Sequence, residues 1–584
     1  MRKQMLCAVV LACLATLGAA QGALAQRAGG AREFVVVWKN GATVAEARDA
    51  VQSAGGTVVE ANLAARTATV RTSDPAFAAK ANNHAALVGA VPDTVIGHAP
   101  SRGRGDKPYS RDVETERGEG RGHGRRGRDE GGDPLSSLQW DMRMIGATPA
   151  GSYRVQQARR AVRVGVLDTG VDGSHPDVAP NFDRALSRNF TTDRPSIDGP
   201  CERPSCVDAN DEDESGHGTH VATTIAGALN GIGIAGVAPK ADIVNLRVGQ
   251  DSGFFFFQET VNALTYAGDN GVDVVNMSYF VDPWLYNCVA NAFDTPEQQQ
   301  QQITIRTAVQ NALDYARAHG VTLIASAGNE NTDLGRPTID HVSPDIILPG
   351  FIPQPPGFDP NRPVDNGCVV LPTEGAGVLS VSAVGPTKRK AYYSNYGLEQ
   401  TTVSAPGGDR REFFGTPQYN APESRILAAY PLGVARAQCE VDDNGVPTGF
   451  TGCDPAARTE RFPALVRDCR GSRCGLYQWI QGTSMAAPHA TGVAALIVAE
   501  HGARDRAKGG LTLDPARTEQ ILRATATDTP CPEPRLLHYP DPGLDASFDA
   551  LCEGTPQLNG FYGDGIVNAL AAVRGAQGRA AGRT

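Results

Sequence analysis

Val162-Arg163-Val164-Gly165-Val166-Leu167-Asp168 is an apolar, β-rich run that ends on a carboxylate. Such a run reads as a buried strand that carries an acid to its own carboxyl end. Similar runs recur at Ala241–Leu246, Val272–Asn276, Val321–Ala325 and Val378–Ala383. Helical patterns lie between or beside them, at His217–Leu229, Val261–Ala267 and Ile303–His319. Alternating strands and helices predict an α/β fold, with a doubly wound, mostly parallel sheet covered by helices on both faces. In such sheets the working residues gather past the carboxyl ends of the strands, where Asp168 falls.

Two other segments complete the chemistry of that acid. His217 sits in Gly216-His217-Gly218-Thr219-His220-Val221-Ala222, and Ser484 in Gly482-Thr483-Ser484-Met485-Ala486-Ala487-Pro488-His489. A serine hydroxyl is a weak nucleophile until a histidine takes its proton, and that histidine needs an acid to fix its tautomer. A fourth segment, Val321-Thr322-Leu323-Ile324-Ala325-Ser326-Ala327-Gly328-Asn329, is a strand that ends in Ala-Gly-Asn. Taken singly, each of these residues would be read as a cap or a buried hydrogen bond. Together, in the order Asp…His…Asn…Ser, their flanks strongly resemble those of the subtilisin-like serine proteases.

The resemblance implies a fold, a reaction and a set of positions. Asp168, His217 and Ser484 take the catalytic roles, and Asn329 with the Ser484 N–H forms the oxyanion hole. His220 and His489 read as structural. Ala327 and Gly328 fall at substrate-binding positions. So do Gly253 and Phe255, within Asp251-Ser252-Gly253-Phe254-Phe255-Phe256-Phe257, where the family pairs with the substrate backbone and forms a pocket for the fourth residue before the cut. On the opposite edge Ser278-Tyr279-Phe280 replaces the family's small Ser-Leu-Gly run, which predicts a bulkier wall. A structural Ca²⁺ is implied at Asp177 and Asn230, with the carbonyls of Ala228, Ile232 and Ile234. No catalytic metal is expected. An acidic run, Asp208, Asp211, Glu212, Asp213 and Glu214, precedes His217; it reads as a solvated loop, with an acid-rich subsite for dibasic substrates as the alternative.

The rest of the chain describes an exported zymogen. Residues 1–25 look like a secretory signal, with a basic start, an apolar stretch and Ala23-Leu24-Ala25 as the cleavage site. Residues 26–98 hold a β-α-β-β-α-β pattern that suggests a small ferredoxin-like α+β unit, similar to the family's inhibitory propeptides. In it Thr43–Ala54 and Ala76–Ala86 read as helices, and Ala90-Val91-Pro92-Asp93 should lead into the last strand. Residues 99–133 are rich in Arg, Gly and acids and read as a charged, disordered linker. The protease domain is expected over 134–584, with insertions at 280–302, 331–370 and 408–478; Gly563–Ala569 resembles the family's entry to its terminal helix.

Outside the signal there are ten cysteines, an even number that suits an oxidising compartment. Their simplest pairing is Cys201/Cys206, Cys439/Cys453, Cys469/Cys474, Cys531/Cys552 and Cys288/Cys368, one of many that the sequence permits. The net charge of -10 argues against a nucleic-acid partner. No membrane span is expected beyond the signal. The expected partners are protein or peptide substrates and the chain's own propeptide, around a monomeric enzyme that is secreted or periplasmic.

Overall fold

The first strand, β1 (Arg32–Trp38), opens a four-stranded antiparallel sheet with β2 (Thr57–Asn62), β3 (Thr67–Thr72) and β4 (Leu87–Pro92), in the order β2-β3-β1-β4. Helices α1 (Val44–Ser53) and α2 (Phe77–Asn82) make the connections between β1 and β2 and between β3 and β4. Thr43 and Glu46 start α1 with a reciprocal capping box. Phe34, Val36, Trp38, Val51 and Phe77 form the core of this unit. The last strand lies earlier than the sequence reading put it, because Val91 itself pairs with Val35. The computed structural model describes residues 32–93, 132–195, 197–344, 361–453, 459–460 and 465–575, and the chain divides into two units at Thr94/Val95. The signal at 1–25 and nearly all of the linker lie outside the described residues.

The second unit is built on seven parallel strands. They are β5 (Arg163–Leu167), β6 (Arg188–Asn189), β7 (Asp242–Arg247), β8 (Val274–Met277), β9 (Thr322–Ser326), β10 (Val378–Val384) and β11 (Val403–Pro406), in the order β11-β10-β9-β8-β5-β7-β6. Nearly every residue of β5, β8 and β9 is buried, as both faces of the sheet are covered. Helix α3 (His217–Ala226) packs against the long C-terminal-half helix (Thr483–His501), and α4 (Phe257–Asp269) packs against α5 (Pro296–Ala318). Register then fixes the site: Leu167 pairs with Met277, and Met277 with Ala325. The residues just past β5, β8 and β9 therefore come out along one edge.

Helix α5 begins at Pro296, seven residues before the start read from its apolar spacing. Thr295 and Gln298 form a capping box that carries the helix back through the glutamine run. Gln302 in that run is buried and accepts hydrogen bonds from the Cys288 amide (2.7 Å) and Arg362 (2.8 Å).

The insertions have structure of their own. Tyr286–Cys288 and Cys368–Val370 pair antiparallel and are joined by the Cys288–Cys368 disulfide. Arg362 is buried between them. It grips Asp294 with Nε and Nη2 (2.7 Å each), Asp340 with Nη1 (2.9 Å), and lies 4.9 Å from the Trp284 ring centre. In the third insertion β12 (Ile426–Ala429), β13 (Leu465–Arg470) and β14 (Arg473–Ile480) form an antiparallel sheet, and β14 runs directly into helix α6 (Thr483–His501). The other four disulfides, Cys201–Cys206, Cys439–Cys453, Cys469–Cys474 and Cys531–Cys552, follow the simplest pairing. Among the described residues no helix is long and apolar enough to cross a membrane.

Removing Arg362 would leave Asp294 and Asp340 as buried charges without their cation. Arg362→Ala, in protein made inactive to prevent autolysis, should lower stability by about 3–5 kcal/mol in chemical denaturation. A change of under about 1 kcal/mol would show that the two aspartates find other donors.

Candidate active site

Asp168 follows β5 and is fully buried. Its Oδ1 accepts hydrogen bonds from His217 Nδ1 (2.7 Å) and the Thr169 amide (2.8 Å). Burial pushes the Asp168 carboxyl above the usual range, and the His217 ring opposes that shift. A carboxylate only accepts, so His217 carries its proton on Nδ1 and its lone pair on Nε2. His217 is the first residue of α3. Gly218 allows the approach of this helix to β5: a Cβ there would lie 2.1 Å from the Gly170 oxygen and 3.0 Å from Asp168 Cβ.

The helix start is held by a residue that the sequence reading left in a solvated loop. Asp213 is buried and takes five donors. Its Oδ1 accepts from Thr169 Oγ1 (3.1 Å) and the amides of Ser215 (3.1 Å) and Gly216 (2.9 Å). Its Oδ2 accepts from the Thr219 amide (2.9 Å) and hydroxyl (2.6 Å). Thr169 Oγ1 in turn accepts from the Gly218 amide (3.1 Å), so one carboxylate ties the end of β5 to the first turn of α3. The neighbouring acids are also engaged: Asp208 pairs with Arg247, Asp211 with Arg184 and Glu212 with Arg203. An acid shortly before a Gly-His helix start was the available signal. Farther along α3, His220 Nε2 donates to the carbonyls of Ile426 and Gln478, both 3.1 Å away, which braces the helix on the insertion sheet.

Ser484 lies in the first turn of α6 and is buried. N–H groups in that turn have no acceptor within the helix. Its Oγ donates to the Ser278 carbonyl (3.2 Å), and Ser278 Oγ donates to the Ser484 carbonyl (3.0 Å). The second bond has a clear cause. Pro488 stands four residues on and has no N–H for the Ser484 carbonyl, so Ser278 supplies the donor. Asn276 Nδ2 donates to Ser278 Oγ (2.9 Å), and Thr491 Oγ1 donates to Asn276 Oδ1 (2.9 Å), which locks α6 to β8. Ser278 is next past Met277 and Asp168 next past Leu167, so the register of β5 and β8 brings serine, histidine and aspartate to one edge.

Asn329 is held by its oxygen. Its Oδ1 accepts from the Thr483 amide and hydroxyl, each at 2.9 Å, which turns Nδ2 the other way. Asn395, unmarked in the sequence reading, secures the same turn. Its Nδ2 donates to the Ala327 carbonyl (3.1 Å) and Glu330 Oε2 (2.6 Å), and its Oδ1 accepts from the amides of Glu330 (3.1 Å) and Thr332 (2.8 Å). Gly328 has φ +103°, and a Cβ there would lie 2.4 Å from Asn395 Nδ2, so the turn requires glycine.

The residues expected at the substrate edges are partly brought together. Phe255 and Tyr279 stack with centres 4.2 Å apart and planes 5° apart. The Tyr279 hydroxyl lies 3.2 Å from Thr260 Oγ1. The Phe255 amide donates to Asp282 Oδ2 (2.6 Å) and its carbonyl accepts from the Asp282 amide (2.8 Å), so the backbone of Phe255 is not offered to a peptide as the resemblance implied. Gly253 is exposed at φ +85°, and Phe280 packs against the insertion core.

Of the Ca²⁺ set expected around Asp177, the two side chains already have hydrogen-bond partners. Asp177 is buried and takes hydrogen bonds from Tyr477 (2.8 Å), the Ile234 amide (3.2 Å) and Asn230 Nδ2 (3.1 Å), while the Ala228 amide donates to its carbonyl (2.9 Å). Asn230 turns its amide nitrogen to the carboxylate, and Arg470 Nη1 donates to the Asn230 carbonyl (3.0 Å). Ile232 donates its amide to Asn230 Oδ1 (3.1 Å). Burial pushes the Asp177 carboxyl up to about 8. Hydrogen-bond donors thus meet the Asp177 carboxylate and the Asn230 side-chain oxygen, two of the oxygens that a hard cation would need. Elsewhere, Asp193, Glu202 and Asp251, and likewise Glu202, Asp208 and Glu214, bring ligand oxygens within 4.8 Å of one another.

Residues 159–548 match the model of the subtilase family. The chain is 27% identical to fervidolysin from Fervidobacterium pennivorans over 63% of its own length and 38% of that protein's. It is 24% identical to Subtilisin DY from Bacillus licheniformis over 71% of its own length and 91% of that protein's. Among solved structures, it is similar in fold to the epidermin leader peptide processing serine protease of Staphylococcus aureus. There the TM-score is 0.59 at 19% identity, with 94% of this chain and 98% of that one covered.

Losing Asp213 frees the start of α3 and with it the His217 ring. Asp213→Ala should lower kcat by about 10- to 100-fold with little change in KM, since small displacements of a catalytic group cost that much. Asp213→Asn should recover part of the loss. A loss confined to KM would mean that Asp213 acts on substrate binding instead.

Proposed function

The chain belongs to the subtilase family, and on that premise we propose that it is an exported serine endopeptidase that forms an acyl-enzyme on Ser484. The observation that carries this reading is the 2.7 Å Asp168–His217 bond at the same sheet edge as the first turn of α6. In the reaction Ser484 Oγ leaves the Ser278 carbonyl for His217 Nε2. It then bonds to the scissile carbonyl carbon as His217 takes its proton. Asp168 holds the resulting imidazolium. The carbonyl oxygen becomes an oxyanion bound by the Ser484 N–H and Asn329 Nδ2, whose direction is set by the two Thr483 donors. Collapse breaks the C–N bond, and His217 returns its proton to the leaving amine. Water, deprotonated by His217, then cleaves the ester and restores Ser484.

The unit at 32–93 is read as an inhibitory propeptide, removed within the linker. Its independent core and β-α-β-β-α-β order support this. Five disulfides support passage through an oxidising compartment. Substrates are taken as extended peptides, with Gly253, Ser278, Ala327 and Gly328 along the groove. The Phe255–Tyr279 stack is read as one wall of the pocket for the fourth residue before the cut.

Ser484→Ala should abolish turnover and accumulate as the form that retains residues 32–93, read by intact mass; equal processing of the mutant would require a second protease. Asn329→Ala should lower kcat by about 100- to 1000-fold, the size recorded for an oxyanion donor in a subtilisin. A positional peptide library should show a large apolar preference at the fourth position. Phe255→Ala and Tyr279→Ala should weaken it non-additively, as stacked neighbours do; strictly additive effects would separate the two rings in function.

A further inference from the structure

Lys390 is fully buried, a place where a lysine is costly unless something meets its charge. It follows β10, and its carbonyl accepts from the Tyr539 hydroxyl (3.1 Å). Its Nζ donates to Asn331 Oδ1 (2.6 Å) and to the Ala391 carbonyl (3.2 Å), both neutral acceptors. The rings of Tyr396, Phe561 and Tyr539 lie around it with centres 4.9, 5.7 and 5.9 Å from Nζ, within the range where ring faces attract a cation. Burial pushes the ammonium well below the usual lysine range, and the Asp409 carboxylate opposes that shift. The two hydrogen bonds use only two N–H groups, so the neutral amine makes them as the ammonium does.

The residue that Lys390 grips stands in the turn of Asn329. Asn331 is two residues past Asn329 and has φ +54°, a left-handed conformation that residues other than glycine seldom take. Three bonds trap it there. Lys390 holds its Oδ1, its Nδ2 donates to the Phe548 carbonyl (3.0 Å), and its amide donates to the Tyr393 carbonyl (2.7 Å). On either side of Asn331, the amides of Glu330 and Thr332 converge on Asn395 Oδ1, which only the reversal of the chain between them allows. Through Nδ2 the same Asn395 holds the Ala327 carbonyl, so both ends of the turn around Asn329 hang on it. We propose that Lys390 is a positioning residue for the oxyanion hole: it locks Asn331 in the left-handed turn that fixes the backbone carrying Asn329. The proposal rests on the reading of Asn329 as an oxyanion donor.

The test measures kcat and KM on a peptide p-nitroanilide, with each variant matured by bead-bound wild-type enzyme that is then removed. Lys390→Met keeps an unbranched side chain and removes both donors. It should lower kcat by about 10- to 100-fold and leave KM within about twofold, since a misplaced oxyanion donor weakens the transition state and not substrate binding. Asn331→Ala lacks Oδ1 and is strained at φ +54°, so it should lose as much, and it carries the test if Lys390→Met does not fold. In an Asn329→Ala background either change should cost less than about twofold more, because its effect passes through the amide already removed. Single variants with kcat within about twofold of wild type would overturn the proposal. So would a full further loss of about 10- to 100-fold in the Asn329→Ala background, which would place the effect on the triad or the fold. Wild-type kcat in Asn329→Ala alone would remove the oxyanion reading itself, and the role of Lys390 with it.

Discussion

The site depends on a carboxylate taken out of water. Asp168 is fully buried at the end of a central strand, and an ionised acid there survives only if donors meet it. His217 and the Thr169 amide are those donors. This single requirement orders the surroundings. The helix that carries His217 must begin close to β5, so Gly218 cannot have a side chain, and Asp213 must gather the amides that the turn would otherwise leave unpaired. The fold supplies the edge, and hydrogen bonds to neighbouring loops supply the angles.

The Ser484 side obeys a similar rule. Pro488 removes one helical donor from the turn that holds Ser484, and β8 repays it through Ser278. Asn276 and Thr491 then fix Ser278 from behind. As a result the position of Ser484 is set by the register of β8 and not only by its own helix. The oxyanion turn is fixed twice, by Thr483 on the Asn329 oxygen and by Asn395 on the backbone around it. Ser484, Ser278 and the Asn329 oxygen thus each have a structural partner, which fixes their positions.

The sheet, its strands and the four motif residues were legible because each follows from a local pattern: an apolar run, a glycine beside a polar residue, a helix start. What the sequence did not disclose depends on contacts between distant segments. The role of Asp213 requires knowing that Thr169 lies against it. Asn395 stands 63 residues or more from the groups its side chain holds. Helix α5 extends to Pro296 because Gln298 caps it, although glutamines carry no apolar period. The partners of Asp177 and Asn230 were hidden for the same reason. Tyr477 and Arg470 belong to an insertion, and only the folded chain shows that Tyr477 donates to Asp177 and Arg470 to the Asn230 carbonyl.

The insertions also shape the edge beside β8. The first of them opens at Phe280, just past Ser278 and Tyr279 at the end of β8. Tyr279 turns to Phe255 on one side, while Phe280 enters the core made with Tyr286, Cys368 and Val370. That core is anchored by Arg362 between Asp294 and Asp340 and by the Cys288–Cys368 disulfide. A wall held by buried ion pairs and a covalent bond resists displacement more than a single loop does. The edge beside β8 is therefore built from inserted polypeptide, and its stiffness follows from the same buried charges that hold the insertions together.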